Sequence, residues 1–329
     1  MSTTYTHLTY DIRCQIYALK QSGKSQMCIS HQLKVSQSTI SRELSRNKGG
    51  KGYRYKQAHR KATTRRHRAS GMARVMTARR LDCIRYWLTH EQWSPQQIAA
   101  HIRRTDNISL CHETIYRYIW HDKKRGGTLY QHLRQRGKKR NKRGSHHAGR
   151  GLIPHRRDIS ERPQIVEAKT RLGDWEVDSI IGAKHRGSLV TMVERVSKVV
   201  RIVLLKRPTA EATKDAIITA LQPIKRSVQT ITSDNGKEFA AHQHIAKALN
   251  AEFFFARPYH AWERGVNENT NGLIRQYFPK GCDFDTITQA QVQTVQNKLN
   301  NRPRKTLNYL TPNQMFAQLI QKQNYALQM

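Results

Sequence analysis

Between Gly173 and Phe278 the chain alternates between two hydrophobic periods, and the order of that alternation limits the folds open to it. Gly173–Gly182, Leu189–Glu194 and Val199–Leu205 are rich in β-branched and aliphatic residues and read as three successive strands. Lys184-His185-Arg186-Gly187 joins the first two. After Pro208, Thr209 stands as cap to a helix with Ala212, Ala216, Ile217 and Leu221 at periodic positions. A short strand runs from Val228, Asn235-Gly236 reverses the chain, and a helix (about 240–249), a strand (251–256) and a last helical stretch follow. The order βββαβαβα predicts an α/β domain built on a mixed sheet.

That pattern carries acids in places where acids are costly. Strand alternation puts Asp174, Glu176 and Asp178 on one face of a probable central strand, where a carboxylate needs a charge partner or a cation. Asp234 falls at the end of its strand, where open α/β sheets present ligand-binding groups. In the last helix Val266, Thr270, Leu273, Ile274 and Tyr277 share one stripe, and Glu268, Asn271 and Arg275 share another. Asn267, Asn269, Asn271, Gly265 and Gly272 are poor helix formers, so packing or a site overrides local preference there. Asp178, Asp234 and Glu268 lie on three elements that a sheet can bring together as oxygen ligands for two Mg²⁺ ions ~3.5–4 Å apart. Each acid alone reads equally well as a solvated or ion-paired surface group. Glu176 and Glu263 compete for the same role, and Asp174 suits a structural pairing with a nearby Arg or Lys.

Trp175-Glu176-Val177-Asp178, Ser233-Asp234-Asn235-Gly236 and Gly265-Val266-Asn267-Glu268-Asn269-Thr270-Asn271 resemble the three acidic motifs of DDE transposases and retroviral-type integrases. More narrowly, the chain resembles the IS-thirty family of bacterial insertion-sequence transposases. Tyr259-His260-Ala261-Trp262-Glu263-Arg264-Gly265 and Leu299-Asn300-Asn301-Arg302-Pro303-Arg304-Lys305-Thr306-Leu307 support this, and the likeness covers nearly the whole chain. Three motifs in order, with 33 residues between Asp234 and Glu268, are far more specific than any one of them. Val177 stands where the family often has Gly. The resemblance implies an RNase H-like catalytic domain, in agreement with the strand order, with Asp178, Asp234 and Glu268 as metal-binding acids. It implies Mg²⁺ as cofactor, with Mn²⁺ substituting, and the element's terminal inverted repeats and target DNA as substrates. It also implies circular or head-to-tail donor intermediates and a homo-oligomer on DNA. Asn271 and Arg275 are candidates to steady the acids or touch phosphate.

Charge points the same way. The formal net charge is +36, and it is uneven: residues 1–157 hold 35 Lys and Arg against 7 Asp and Glu, while 158–329 hold 24 against 16. Such a field calls for a polyanion, nucleic acid before an acidic membrane. No apolar run approaches the ~20 residues of a membrane span, and no small-molecule ligand is indicated. The first residues lack a charged-then-apolar leader, and five scattered cysteines make neither a zinc nor a disulfide pattern. These features suit a reduced, cytoplasmic, nucleoid-associated bacterial protein.

The basic half divides into helical pieces. Residues 1–48 read as a helix-turn-helix: Ile12, Ile16 and Leu19 mark one helix, a second spans about 25–33, and Ser36 caps a third with Ile40 and Leu44 inward. Gln37, Ser38, Thr39, Ser41, Arg42 and Arg46, with the acid Glu43, face outward as candidate DNA-reading positions, although a plain three-helix bundle shows the same pattern. Residues 49–76 read as a basic linker lying along phosphates or free in solvent. Residues 77–132 form a second helix-turn-helix-like domain, or else a dimerisation bundle. Ser94-Pro95-Gln96-Gln97 starts one of its helices, and Glu113, Thr114, Tyr116 and Arg117 are outward on the next. Residues 133–159 are a cationic linker with Lys138, Lys139, Arg140, Lys142 and Arg143 as DNA contacts, and 160–329 are the catalytic domain with a helical tail. Arg302-Pro303-Arg304-Lys305 reads as a DNA contact or a solvated loop. Two rival functions remain open: a repressor that binds DNA without catalysis, and a nuclease without strand transfer.

Overall fold

The computed structural model describes residues 8–69, 76–134, 153–257 and 260–326. Lys138, Lys139, Arg140, Lys142 and Arg143 lie outside the described residues. Two compact units divide the chain, residues 1–82 and 83–329.

In the first unit, helices α1 (Tyr10–Gln21), α2 (Gln26–Leu33) and α3 (Gln37–Asn47) each begin at a hydroxyl cap. Thr9, Ser25 and Ser36 accept from the backbone N–H three residues on, at 3.2, 3.2 and 3.3 Å. Each cap satisfies one orphan donor of the first turn and stabilises by about 1 kcal/mol. Ile16, Ile29, Ile40 and Leu44 pack as the core. Between α2 and α3 the chain turns at Lys34, which adopts the left-handed conformation.

Two expectations change here. Glu43 does not sit on the outer face of α3 but is 7% exposed, taking hydrogen bonds from Arg13 at 2.8 and 3.1 Å and from the Tyr53 hydroxyl at 3.2 Å. A carboxylate at that depth needs its charge partner. The stretch 49–76 is not simply a linker, because it holds helix α4 (Tyr55–Ala69), packed on α1 and α3. Among the described residues of this region only Tyr53 and Ala58 are buried, too few to show an apolar stripe through the basic surface.

The second unit starts inside α5 (Ala78–Thr89) and continues through α6 (Pro95–Asp106) and α7 (His112–Lys124). The expected capping box forms: Ser94 N–H donates to Gln97 Oε1 at 2.9 Å and Gln97 N–H to Ser94 Oγ at 3.4 Å. Ile84, Leu88, Ile98, Ile102, Ile115 and Ile119 are buried between the helices.

The sheet has five strands, β1 (Asp174–Ile181), β2 (Ser188–Glu194), β3 (Val200–Leu205), β4 (Thr230–Ser233) and β5 (Glu252–Phe255), in the order β3-β2-β1-β4-β5. β1–β2 and β2–β3 are antiparallel, while β1–β4 and β4–β5 are parallel, so the sheet is mixed as expected. Gly173 opens β1 at φ +109°, and a Cβ there would lie 2.2 Å from the Ser227 carbonyl oxygen.

Trp175 and Val177 face one hydrophobic layer with α8 (Ala210–Leu221) and α9 (His242–Leu249). Ile180 faces the other, with α10 (Gly265–Ile274) and α11 (Gln289–Asn300). Asp174, Glu176 and Asp178 therefore share the α10 side, as alternation requires. A final helix, α12 (Pro312–Ala326), completes the tail.

Side chains of α11 close the β3 edge. Val200 N–H donates to Asn300 Oδ1 at 2.9 Å, Asn300 Nδ2 donates back to the Val200 carbonyl at 2.9 Å, and Ile202 N–H donates to Gln296 Oε1 at 2.8 Å. Four residues of helix advance ~6 Å and two of strand ~6.8 Å, so a four-residue amide spacing matches alternate strand groups. Asn300→Ala strands two buried backbone groups and is expected to cost about 2–3 kcal/mol, read as a lower denaturation midpoint.

Candidate active site

Three elements meet at the carboxyl end of β1. β1 and β4 run parallel with Glu176 opposite Thr232, and the same register carries Asp178 level with Asp234 in the turn after β4. Asp234 Oδ1 accepts from Gly236 N–H at 2.9 Å, and Asn235 Nδ2 donates to the Ala256 carbonyl at 2.7 Å, so the Asp-Asn-Gly turn is held from both sides. Asp178 Oδ1 accepts from Ser179 N–H at 3.0 Å and Oδ2 from Asn271 Nδ2 at 2.9 Å. Asn271 is fixed in turn by the hydroxyl of Thr191, the β2 partner of Asp178, 3.0 Å from its Oδ1. Asn271 thus links Asp178 on β1 to Thr191 on β2 through its two amide atoms.

A cation already lies between the two aspartates. Arg264, from the turn before α10, puts Nη1 3.4 Å from Asp178 Oδ1 and Nη2 3.6 Å from Asp234 Oδ2, and Nη1 also donates to the Val177 carbonyl at 3.2 Å. Burial is the main cause that pushes the Asp178 carboxyl above the usual carboxylate range; Arg264 opposes the rise and the neighbouring Asp234 adds to it. Two hard carboxylates converging on one positive group are the donor chemistry that a divalent cation takes, so Asp178 and Asp234 fit such an ion.

Glu268 lies on the first turn of α10, three residues before Asn271, and is exposed. Among the described residues no group of three or more His, Cys, Asp or Glu is spaced to hold a metal ion, so Glu268 does not close a triad with the two aspartates in this arrangement.

The competing acids have other work. Glu176 Oε2 accepts from Asn267 N–H at 2.9 Å, and its Oε1 lies 3.2 Å from Arg195 Nε, a charge contact rather than an aligned hydrogen bond. Glu263 is held by Arg257, and Asp174 by Arg171 and Thr230, the structural role expected for Asp174. Arg275 differs from expectation. As the C-cap of α10 it keeps helical geometry, with its N–H on the Asn271 carbonyl, and its side chain donates to the Ile181 and Pro279 carbonyls. Arg302 is neither solvated nor at a surface: it is 2% exposed and donates to Gln276, Tyr277 and the Glu91 carbonyl.

Two residues near the site carry no sequence signal of their role. Arg264 reads in the sequence only as part of Trp262-Glu263-Arg264-Gly265. Glu238, four residues after Asp234, takes a hydrogen bond from the Ser179 hydroxyl beside Asp178. Of the expected DNA-reading residues, Gln37, Ser38, Arg42, Arg46 and Arg117 are exposed, while Thr39, Ser41 and Thr114 are half-buried. The Thr39 hydroxyl lies 2.7 Å from the cap hydroxyl of Ser36.

A family described as "Integrase core domain" matches residues 170–261, and one described as "Helix-turn-helix domain" matches residues 4–47. The chain is 45% identical over 97% of its length to the transposase for insertion sequence element IS4351 of Bacteroides fragilis, covering 98% of that protein. It is 32% identical over 94% of its length to the transposase InsI for insertion sequence element IS30A of Escherichia coli (strain K12), covering 83% of that protein. Among solved structures, the catalytic core domain of BIV integrase is similar at 23% identity and TM-score 0.37, over 46% of this chain and 97% of that one.

Proposed function

Because the chain belongs to the IS30-type insertion-sequence transposases, we propose that it binds the terminal repeats of its element, cuts strands there and joins the freed 3′ ends to new DNA. The observation that carries this reading is the convergence of Asp178 and Asp234, from neighbouring parallel strands, on one positive group. Asp178 and Asp234 would hold the divalent cation, with Glu268 the candidate for a third ligand. When bound, such ions supply an activated oxygen nucleophile and a counter-charge for the leaving oxygen.

The chain's own residues do the rest. Asn271 fixes which oxygen of Asp178 faces the metal, and Thr191 fixes Asn271. Arg264 neutralises the two aspartates while no DNA is present and then turns to the phosphate. The basic first half supplies affinity for the duplex, and copies of the chain act together on the paired ends.

Purified protein incubated with a plasmid bearing the element's ends and Mg²⁺ should yield joined strands, read by sequencing the junctions. Cut but unjoined products would reduce the activity to a nuclease, and uncut DNA that is nonetheless bound would leave a repressor. Chelation by EDTA is expected to stop cleavage and spare end binding. Affinity should fall by about 10³ or more between 50 and 200 mM salt, as when several phosphates are neutralised. A fluorescence-anisotropy series checks this, and a flat response would count against the role of the basic half.

A further inference from the structure

Within the second unit, a cavity of about 570 Å³ lies between α7 and α10 and is walled by the segments around Trp93 and Arg302. Its size is within the range of ligand sites, and its lining is unusual in sign. Arg134, Arg302, Arg304 and Lys305 line it, and no aspartate or glutamate does among the described residues. Glu91 acts on Arg302 only weakly, and its carboxylate lies 3.8 Å from Lys298. Burial is the first cause that pushes Arg304 down, to about 9, followed by repulsion from Arg302 and Arg134. Arg302 is buried, Arg304 half-buried, and Arg134 and Lys305 are exposed, so the lining carries positive charge from its depth to its rim.

Hydrogen bonding gives a second, independent sign. Trp93 Nε1, Arg302 Nε and Arg304 Nε are all buried, all belong to residues of this one cavity, and all lack a hydrogen-bond acceptor. Trp93 is 5% exposed and Arg302 2%. Buried donors are nearly always satisfied, so three unpaired ones on residues of one cavity wall are a local cost of its packing. The remaining wall is aromatic: Tyr116 and Trp120, both on α7, face the same cavity, and Trp120 is 38% exposed at its mouth. Asn269, next to Glu268 on α10, lines the opposite side.

We propose that this cavity receives one unstacked nucleotide of the DNA, its phosphate meeting Arg304 and Lys305 and its base stacking on Tyr116 and Trp120. A duplex shows its phosphates but keeps its bases stacked inside. A pocket with ring walls and buried guanidinium donors suits a base drawn out of the stack. The proposal rests on the DNA-joining reading and adds to it a step of strand separation beside the helix that carries Glu268.

The test uses the full chain in EDTA, so that cleavage plays no part. Two fluorescent duplexes are compared, one blunt and one with a three-nucleotide single-stranded overhang carrying 2-aminopurine. The overhang duplex should bind more tightly, with its 2-aminopurine quenched. Trp120→Ala should weaken overhang binding about ten- to a hundredfold and restore the fluorescence while leaving blunt binding unchanged. Lys305→Gln, at an exposed rim position, should weaken overhang binding selectively and keep the melting temperature of the parent. Equal weakening on both duplexes, or no change on either, would overturn the nucleotide pocket while DNA binding itself stood. Failure of the parent chain to bind either duplex would instead remove the function on which the proposal rests.

Discussion

Asp178→Asn is expected to lower strand cleavage by on the order of 10³ while terminal-repeat binding and the melting temperature stay close to those of the parent. The loss follows from the charge that the site must supply: removing one preorganised electrostatic contact to a developing oxyanion already costs ~10²–10³ in rate. An amide at 178 takes away half of the negative charge on which Arg264 now converges. Stability has opposing terms. Burial disfavours the charged form of Asp178, so a neutral side chain relieves that cost. Against this, the carboxylate accepts from both Ser179 N–H and Asn271 Nδ2 on different oxygens, and an amide has only one acceptor oxygen. One lost bond costs about 1 kcal/mol, so the two terms nearly cancel. Gel-shift, melting and cleavage assays on one preparation separate these outcomes, and cleavage surviving at parental rate would remove Asp178 from the site.

The largest stability effect is expected at Glu176→Gln, two residues upstream on the same face of β1. Glu176 is 1% exposed and Arg195 3% exposed, and their side chains face each other at 3.2 Å. Glutamine keeps the size and still accepts from Asn267 N–H, so the substitution isolates the charge. It leaves a buried guanidinium whose remaining acidic partner is Glu167, 60% exposed and 3.2 Å away. Breaking a buried pair from one side costs about 3–5 kcal/mol, and water around Glu167 leaves it little able to compensate. In a unit of this size that lowers the melting temperature by roughly 10 °C. Arg195→Met, which removes the cation, combined with Glu176→Gln should recover much of the loss. A double variant as unstable as the single one would show that the cost lies elsewhere.

Much of this architecture is legible in the sequence, for reasons specific to each part. The strands show because β2, buried on both faces, reads as an apolar run, and β1 alternates apolar residues with acids at period two. The caps at Ser36, Ser94 and Thr209 show because capping is a local interaction. Asp178 and Asp234 show because an acid on a buried strand and an acid after a strand are both anomalous, and the parallel register joins them. What the sequence hides depends on distant partners. Helix α4 buries Ala58 alone among its described side chains and leaves no stripe, and Glu43 is drawn inward by Arg13, 30 positions away. Arg275 keeps the helical count from Glu268, but its side chain is taken by the Ile181 and Pro279 carbonyls, partners that lie outside the helix. Arg264 is out of reach of pattern reading altogether, since its place between two strands' aspartates exists only after the sheet is formed.

The way α11 meets β3 bears on how copies of the chain can associate. An outermost strand with free backbone groups is a template on which another molecule can add its own. Asn300 and Gln296 occupy those groups from within, so this flank is sealed by the chain's own amides. That border is thereby closed to strand addition by another copy of the chain.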